Sequence, residues 1–345
     1  MSIPKWAVWV ATGCVLAMAA TAGLAADPLT PAEQARYSDL DARPLQSFTN
    51  VDLADYLALR HKDLAAKGRS PDPAEEVGHY ALKALGQSYR LYASRFDYAE
   101  SDCVVFVERC LAMGLSADWT TYRKLSDRLR HRDGAVGYVK RNFLTLEDWV
   151  PSNSFLLHDV SGNLGSHSGP LTRGFTYVVR PKVFRDVPPD PVTGVATEFV
   201  GVDYASANKV MRTELYIPRD RLSEALPELR TGDVALVIRQ WIAPGKKPWY
   251  DCDHMGIVIR DPGGAVTMAH SAPKCARLER LDAFLAQYLA VSGFKILRLV
   301  PESRSAVQQE IERCRTSLSA PSPMAEDNFV GAVRRARADA AHVKQ

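Results

Sequence analysis

Apolar residues recur at helical spacing in several segments of the first half of the chain. The clearest case is residues 102–114, where one helical face would carry Val104, Val107, Leu111 and Ala112. Asp102 is a residue type that often precedes the first turn, and Gly114 is a natural stop. The pattern therefore predicts a buried helix that starts next to Cys103 and runs to about Gly114.

Weaker helical patterns surround this segment. Residues 27 to about 70 are polar and rich in Ala and Leu, which predicts a helical arm, and residues 74–85 and 119–130 also show helical spacing. The several Arg residues of 119–130 are typical of a solvated face. Residues 147–154 are predicted as a loop.

The second half of the chain changes to strand-like patterns. Residues 233–239, 254–259 and 265–270 are predicted as strands, with a turn at 261–264 between the last two. Shorter strand-like runs occupy 175–179 and 214–218, and a short helix is expected near 219–229.

Composition limits the functional classes. The chain is 46% hydrophobic and 24% charged, which is typical of a globular protein with one large domain or two small ones. A net charge of +3 is too weak to indicate a nucleic-acid partner. Past Pro301 the chain turns polar, and residues 306–345 are predicted as a polar, basic tail.

The first 26 residues resemble an export signal. Lys5 is their only charged residue, and an apolar run from Trp6 to Ala22 precedes small residues suited to cleavage. A retained anchor is the alternative, because the run is nearly long enough to span a bilayer. A lipoprotein anchor at Cys14 fits less well. We expect a periplasmic or cell-envelope protein with no stable membrane span after signal removal.

Export would place the cysteines in an oxidising compartment. Removing the signal leaves Cys103, Cys110, Cys252, Cys275 and Cys314, an odd number, so at least one thiol stays free or pairs between chains. Cys252 and Cys275 lie near the open ends of one predicted hairpin, so a disulfide between them is one possible pairing.

Cys103 is the candidate nucleophile. At the first turn of a helix its thiol lies beneath unpaired N–H groups, and the helix dipole there favours the thiolate. The alternative is a small core cysteine, which is the common fate of a single Cys in an apolar helix.

Two histidines supply a candidate base and its partner. His254 begins one predicted strand and His270 ends the next, so the hairpin turn would place His254 opposite about residue 271. A Cys103 sulfur within or slightly beyond hydrogen-bond reach of His254 is the expected geometry. The run from Asp251 to His254 has metal-ligand residue types, but consecutive strand residues point to opposite faces, so no metal site is predicted.

Four short motifs occur in a fixed order along the chain. They are D-C-x-x-F-V at 102–107, L-R-T-G-D-V at 229–234, H-M-G-I-V at 254–258 and A-H-S at 269–271. This order resembles the NlpC-type cell-wall cysteine peptidases, and segments at 85–89, 106–108, 131–134 and 148–153 resemble the N-acetylmuramoyl-L-alanine amidase-like family within them. The resemblance covers about residues 75–300.

The resemblance implies a papain-like (NlpC-type) α+β core in which the nucleophile helix packs on an antiparallel sheet, with a helical N-terminal arm. It implies that Cys103 attacks an amide of the peptidoglycan stem peptide, that His254 is the base and that His270 orients it, without a cofactor. Tyr89 matches a tyrosine that faces the thiol. The remaining candidate substrate-binding residues are Asp102, Trp149 and Asn153, although a loop Trp is often only a plug over the core.

The expected organisation is a signal at 1–26, an arm at 27–73, an amidase domain at 74–305 and a tail at 306–345. The expected partner is peptidoglycan or a muropeptide. Two other functions are consistent with the sequence: an acyltransferase or lipid-directed thiol hydrolase on the same fold, and a non-catalytic wall-binding module.

Overall fold

The computed structural model describes residues 27–91, 93–136, 141–142, 145–164, 173–178, 211–242 and 249–315. The predicted export signal, most of residues 161–200 and the part of the predicted tail beyond residue 315 lie outside these ranges. Within them, no helix is both long and apolar enough to cross a membrane.

Helices occupy most of the first half of the described chain. They are α1 (Pro31–Ala42), α2 (Asn50–Ala66), α3 (Pro73–Lys83), α4 (Cys103–Gly114), α5 (Trp119–Arg130) and the short α6 (Val150–Ser152). Later come α7 (Leu222–Ala225), α8 (Leu281–Gln287) and α9 (Ser303–Arg313). The predicted helices at 74–85, 102–114 and 119–130 are thus confirmed, and the N-terminal arm consists of α1 and α2.

Local hydrogen bonds explain where these helices begin. Thr30 and Thr49 each accept a bond from the N–H three residues later, and the acid at that later position bonds back to the threonine N–H. The carboxylates of Asp102 and Asp118 likewise accept the N–H three residues later, at the starts of α4 and α5. Such caps satisfy backbone donors that the helix itself leaves unpaired, so the helix starts are defined by sequence.

The described strands form one small parallel pair and one large sheet. The pair joins β1 (Ser88–Tyr89) to β2 (Glu100–Ser101). The large sheet has the order β4-β5-β10-β6-β7-β8-β9, and β3 also pairs with β10. Its members are β3 (Leu157–Asp159), β4 (Arg173–Val178), β5 (Met211–Pro218), β6 (Val234–Trp241), β7 (Trp249–Arg260), β8 (Val266–Ser271), β9 (Ala276–Arg280) and β10 (Val291–Leu299).

Within the described residues, the strand pairings of the large sheet are antiparallel. Apolar side chains of the sheet contribute to two separate buried cores. One core includes Met255, Ile257 and Ala269 together with the helices α2 to α5. The other includes Val258 and Met268 together with α7 and α8. Side chains of neighbouring strand residues point to opposite faces, so the sheet lies between a helical layer at α4 and a second cover at α8.

Side-chain contacts between polar groups, partly buried, join the arm to α3. The Tyr56 hydroxyl lies 2.5 Å from the Asp41 carboxylate and 2.9 Å from Nε2 of His79. The Lys83 ammonium lies 4.7 Å from the centre of the Tyr56 ring. Nearby, the Arg60 guanidinium donates to Glu76 at 2.6 Å. These contacts connect α1, α2 and α3 through side chains from all three helices.

One local prediction was wrong. The segment 147–154 was expected to be a loop, but its residues 147–152 belong to a wide helical turn at Thr145–Trp149 that continues into α6. The first residues of the predicted polar tail belong to helix α9. This helix is retained because Val307 is buried and Glu310 accepts a bond from Arg128 of α5.

Candidate active site

The first turn of α4 holds the candidate nucleophile. The Asp102 carboxylate accepts the N–H of Val105 at 2.8 Å, and this bond places Cys103 as the first helical residue. The thiol packs at the edge of the core beneath α4 and is only partly exposed. Its sulfur accepts hydrogen bonds from the backbone N–H groups of Val104 and Met255.

The N–H of Met255 reaches the sulfur because the ladder between β7 and β8 stops just before it. The last pair of that ladder is Ile257 with Ala269. Val258 directs its N–H towards Asp233, on the β6 side, so alternation directs the N–H of Met255 to the opposite side, where the pairing of β7 with β8 has already ended. The thiol thus fills an open position at the end of the sheet.

Two further bonds hold the helix start against this opening. The hydroxyl of Ser271, the last residue of β8, donates to the carbonyl of Ser101 at 2.7 Å in a buried contact. On the other side, Tyr89 pairs with Ser101 and donates its N–H to Lys274 at 3.2 Å. Tyr89 is 38% exposed. The structure therefore places Tyr89 beside the start of α4.

The two candidate histidines are in direct contact. Nε2 of His254 lies 2.7 Å from Nδ1 of His270. The register puts Ile257 opposite Ala269, so His254 is opposite residue 272, one residue beyond the predicted position. His254 is partly exposed, whereas His270 is 1% exposed. The hairpin prediction thus brought the correct pair together despite the small error in register.

Both imidazoles lie on the α8 side of the sheet. Their ring centroids are 6.1 Å and 5.6 Å from that of Phe284, for His254 and His270 respectively. Cys103 belongs to the α4 side, and its sulfur reaches the backbone of Met255. The thiol and the His254 ring are therefore one residue apart along β7. Within the described ranges no hydrogen bond joins them, so the expected approach of the sulfur to a nitrogen of His254 stays a prediction.

A bulge in β7 accompanies this change of face. Val237 pairs with His254, but the next pair joins Ile238 to Cys252, so Asp253 is the extra residue. Asp253 pairs with Arg239 at 3.1 Å. The side chain of Cys252 turns into the core under α4 and lies 3.4 Å from the carbonyl of His254.

The protonation of Cys103 differs from the expectation based on the helix dipole. Burial, with a smaller contribution from the nearby Asp102 carboxylate, raises the pKa of its thiol to about 12. The two backbone N–H bonds lower the pKa but do not offset burial. The helix dipole alone predicted an easier loss of the thiol proton, but the loss of solvation acts in the opposite direction and outweighs it.

The two histidines are neutral as well. Burial lowers the pKa of His254 to about 3, and the neighbouring His270 contributes in the same direction. Burial lowers the pKa of His270 to about 4, with a smaller contribution from the Arg277 charge. At neutral pH the site therefore contains a neutral thiol and a neutral imidazole, an arrangement in which the imidazole is available as a proton acceptor.

The suggested disulfide is not present. Cys252 and Cys275 are both free thiols, as are Cys103, Cys110 and Cys314. The bulge buries Cys252 under α4. Cys275 lies after the end of β8, where its backbone forms an isolated β-bridge pair with Ser88. In the part of the chain that the structure describes, no group of three His, Cys, Asp or Glu residues could hold a metal ion.

Three predicted substrate-binding residues have structural partners instead. Asp102 is buried and caps α4. Trp149 is 1% exposed, and its ring N–H donates to Glu108 at 3.0 Å. Asn153 is fully buried and donates to the carbonyls of Leu129 and Trp149. Their burial argues against substrate contact and favours the alternative of a plug over the core for Trp149.

Sequence reasoning did not single out Glu279 and Phe284. Glu279 lies on β9, with its carboxylate 3.3 Å from Nε2 of His270. Phe284 packs beneath both imidazoles from α8. Neither residue belongs to the four motifs, and the only available signal was the alternation of β9, which places Arg277 and Glu279 on one face.

Comparisons with known proteins agree with the described architecture. A protein of Legionella pneumophila assigned to family DUF1460 has a crystal structure that matches with a TM-score of 0.58 and 15% identity, covering 73% of this chain and 94% of that one. An N-acetylmuramoyl-L-alanine amidase from Bacteroides uniformis matches with a TM-score of 0.50 and 19% identity, covering 66% and 98%. At these identities the likeness establishes the fold alone.

No curated protein matches the chain. A family model described as AmiA-like, N-acetylmuramoyl-L-alanine amidase-like, matches residues 78–292. That segment is more than half of the chain and contains Cys103, His254 and His270. The chain therefore belongs to the AmiA-like family of N-acetylmuramoyl-L-alanine amidase-like proteins.

Proposed function

We propose that the protein is a cysteine amidase of the NlpC type that hydrolyses an amide bond in peptidoglycan or its muropeptide fragments. The observation that carries the proposal is the thiol of Cys103 at the open end of the β7–β8 ladder, next to the hydrogen-bonded His254–His270 pair. Family membership supports the substrate class. The acyl–L-alanine bond of N-acetylmuramoyl-L-alanine is the candidate bond.

The reaction would begin with proton transfer. His254 uses Nε2 towards His270, and within the described residues Nδ1 makes no hydrogen bond, so Nδ1 is the nitrogen available to the thiol. His254 takes the proton from the sulfur as the sulfur attacks the amide carbonyl, so the thioanion forms only during attack. Catalytic hydrogen bonds are often long in substrate-free enzymes and tighten when substrate binds, so the proposal does not require a Cys103–His254 hydrogen bond in the substrate-free chain.

The first turn of α4 would stabilise the charge that develops on the carbonyl oxygen. Backbone N–H groups at a helix start are suitable donors for such an oxyanion. Protonated His254 then gives its proton to the leaving amine, which leaves an acyl thioester on Cys103. A water molecule, deprotonated by His254, hydrolyses the thioester and restores the free thiol. No cofactor takes part in these steps.

Digestion of purified peptidoglycan and defined muropeptides by the wild-type chain and by Cys103→Ala, followed by mass spectrometry, tests the proposal. We expect the wild type to release free stem peptide and Cys103→Ala to release none. Transfer of the acyl group to an added amine without hydrolysis would indicate an acyltransferase instead. Binding without cleavage by either protein would indicate a wall-binding module.

We also propose that residues 1–26 direct export to the periplasm or cell envelope. Support comes from the pattern of one basic residue followed by an apolar run. Expression of the full-length chain with a C-terminal tag, followed by fractionation and N-terminal sequencing, distinguishes a cleaved signal from a retained anchor. Full-length protein confined to the cytoplasm would contradict export.

A further inference from the structure

We propose that Glu279 is a positioning residue of the site: its carboxylate accepts the Nε2 proton of His270 and thereby determines which nitrogen of His254 serves as the base. This inference rests on the proposed function for its catalytic consequence. Its structural part, the proton arrangement of the two imidazoles, holds for the substrate-free protein and can be measured without a substrate.

The contacts form a chain across three neighbouring strands. Nε2 of His254 on β7 lies 2.7 Å from Nδ1 of His270 on β8, and Nε2 of His270 lies 3.3 Å from Oε2 of Glu279 on β9. The side chains of His270 and Glu279 are 1% and 13% exposed. A relay buried to this extent is shielded from water, so its members must satisfy one another.

His270 needs this partner. Its Nε2 is buried and has no hydrogen bond of good geometry, although the Glu279 oxygen is within ion-pair distance. A buried N–H without an acceptor is destabilising, whereas a modest side-chain adjustment aligns it with the carboxylate. If Nε2 instead carried a lone pair, that lone pair would face a carboxylate, which is repulsive. The proton of neutral His270 is therefore assigned to Nε2.

This assignment fixes the tautomer of His254. With its proton on Nε2, His270 presents a lone pair at Nδ1, so His254 must donate from its own Nε2. Nδ1 of His254 then carries the lone pair that can accept the Cys103 proton. When His254 becomes an imidazolium, the positive charge is stabilised through His270 by the Glu279 carboxylate.

A simpler role for Glu279 must be distinguished from this one. Its Oε2 also accepts from the Arg277 guanidinium at 3.0 Å, and Arg277 is about one-third exposed. Glu279 could therefore serve only to neutralise Arg277 next to the imidazoles. In that case removing both charges together would restore activity, whereas in the positioning role it would not.

The test compares Glu279→Leu, Glu279→Gln and the double variant Arg277→Leu/Glu279→Leu in the full-length chain. Selective ¹⁵N-histidine labelling and long-range ¹H–¹⁵N spectra report the tautomers. We expect His270 in the wild type to carry its proton on Nε2, and to lose that preference in Glu279→Leu. Glu279→Gln keeps an acceptor oxygen and should retain the wild-type tautomer.

The kinetic expectations follow the tautomers. Glu279→Leu should lower kcat on muropeptides by about 10- to 100-fold, the usual range for a residue that orients another, with little change in KM. Glu279→Gln should recover most of kcat, and the double variant should stay as impaired as Glu279→Leu. Asp282→Leu is the matched control, because Asp282 is a nearby carboxylate that pairs with Arg280 and contacts no histidine.

Unchanged tautomer and kcat in Glu279→Leu would overturn the proposal, as would recovery of kcat in the double variant. If Glu279→Leu fails to fold, as judged by its melting temperature, Glu279→Gln and Glu279→Asp provide the same comparison: a shorter carboxylate should weaken the tautomer preference. If the wild type cleaves no muropeptide, the proposed function fails, while the spectra still decide the role of Glu279.

Discussion

Two partly buried chains of polar contacts in this molecule end in a histidine, and they differ in what lies next to that histidine. In the arm, Asp41 contacts the Tyr56 hydroxyl, which contacts His79. In the sheet, Glu279 lies against His270, which contacts His254. Each chain thus consists of a carboxylate, a bridging group and a terminal imidazole.

The electrostatic consequences of the two chains are also similar. Burial lowers the pKa of His79 to about 4 and that of His254 to about 3. A depressed histidine pKa therefore does not by itself identify a catalytic base in this protein. A similarly lowered pKa is found at His79, whose contacts connect the helices of the arm to α3.

The surroundings of the terminal histidines differ in chemistry. His79 packs against the rings of Tyr56 and Tyr80, with Lys83 nearby, and these neighbours offer no thiol or activated hydroxyl. His254 precedes Met255, whose N–H holds the sulfur of Cys103. The comparison indicates that the nucleophile at the end of the β7–β8 ladder, rather than the histidine alone, distinguishes a site from a structural contact.

The largest expected effect concerns the nucleophile. Cys103→Ser should lower amidase activity by at least about 10³-fold, because a hydroxyl is a far poorer nucleophile in a site arranged for sulfur. Stability should change by less than about 1 kcal/mol, because the substitution is nearly isosteric. Steady-state kinetics and urea unfolding measure the two effects. Near wild-type release of stem peptide would refute the role of Cys103.

Equivalent substitutions at the two terminal histidines sharpen the comparison. His254→Ala should lose activity by about the same factor as Cys103→Ser, and the double variant should be little worse, because the two groups act as a unit. His270→Ala should lose less. His79→Ala should lower the melting temperature while the folded fraction keeps its activity. If His79→Ala and His254→Ala lost the same activity per folded molecule, the two histidines could no longer be distinguished as structural and catalytic.

The protonation of the resting thiol predicts its chemical reactivity. Since burial raises the pKa of Cys103 to about 12, the alkylation rate of this residue by iodoacetamide should rise steadily with pH up to at least about 9. Mass spectrometry of the modified peptide gives the rate at Cys103. A rate that is already constant from about pH 5 upward would instead indicate a preformed thiolate–imidazolium pair, with the proton held by His254.

A milder change breaks the chain in the arm. Tyr56→Phe removes the hydroxyl that joins the exposed Asp41 to the half-buried His79. The expected loss of unfolding free energy is about 0.5–1.5 kcal/mol, with unchanged kcat and KM. Urea unfolding and muropeptide kinetics on the same preparation test this. A fall in kcat without loss of stability would show that the arm contributes to the site.

The sequence predicted the helix at Cys103 and the hairpin of His254 and His270 because short-range patterns determine both. An N-cap aspartate, helical spacing and a Gly-Gly turn depend on neighbours within a few residues. By contrast, the bulge at Asp253 and the ends of β7–β8 pairing depend on packing between strands. The position of the thiol at Met255 and the contact of Glu279 with His270 could not be read from local pattern.

Burial caused the other errors. Trp149 and Asn153 occur in a polar segment whose pattern predicts a loop. Both are nevertheless buried, because Trp149 donates to Glu108 of α4 and Asn153 donates to the carbonyl of Leu129. The helix-dipole argument for Cys103 was sound as a local effect, but the loss of solvent around the sulfur is a tertiary effect of opposite sign. Long-range packing thus decides which local expectation persists.

The remaining expected effect is the pH dependence of stability, to which both histidine chains contribute. His79, His254 and His270 have folded-state pKa values lowered to about 4, 3 and 4 from an ordinary value of 6.5. Each group therefore contributes stability that is present above pH 6.5 and is lost as the pH falls through the folded value, because the unfolded chain binds the protons first.

Urea unfolding between pH 7.5 and pH 4.5 should show a steady loss of stability, in a window where the lowered carboxyl pKa of Glu310 does not yet contribute. Replacing one histidine by Phe removes its share, so His79→Phe and His254→Phe should each flatten the dependence. His61→Phe is a suitable control, because His61 is exposed on α2. A slope that only His79→Phe reduces would show that His254 is protonated as readily in the folded chain as in the unfolded one, and the two histidine chains would no longer be electrostatically alike.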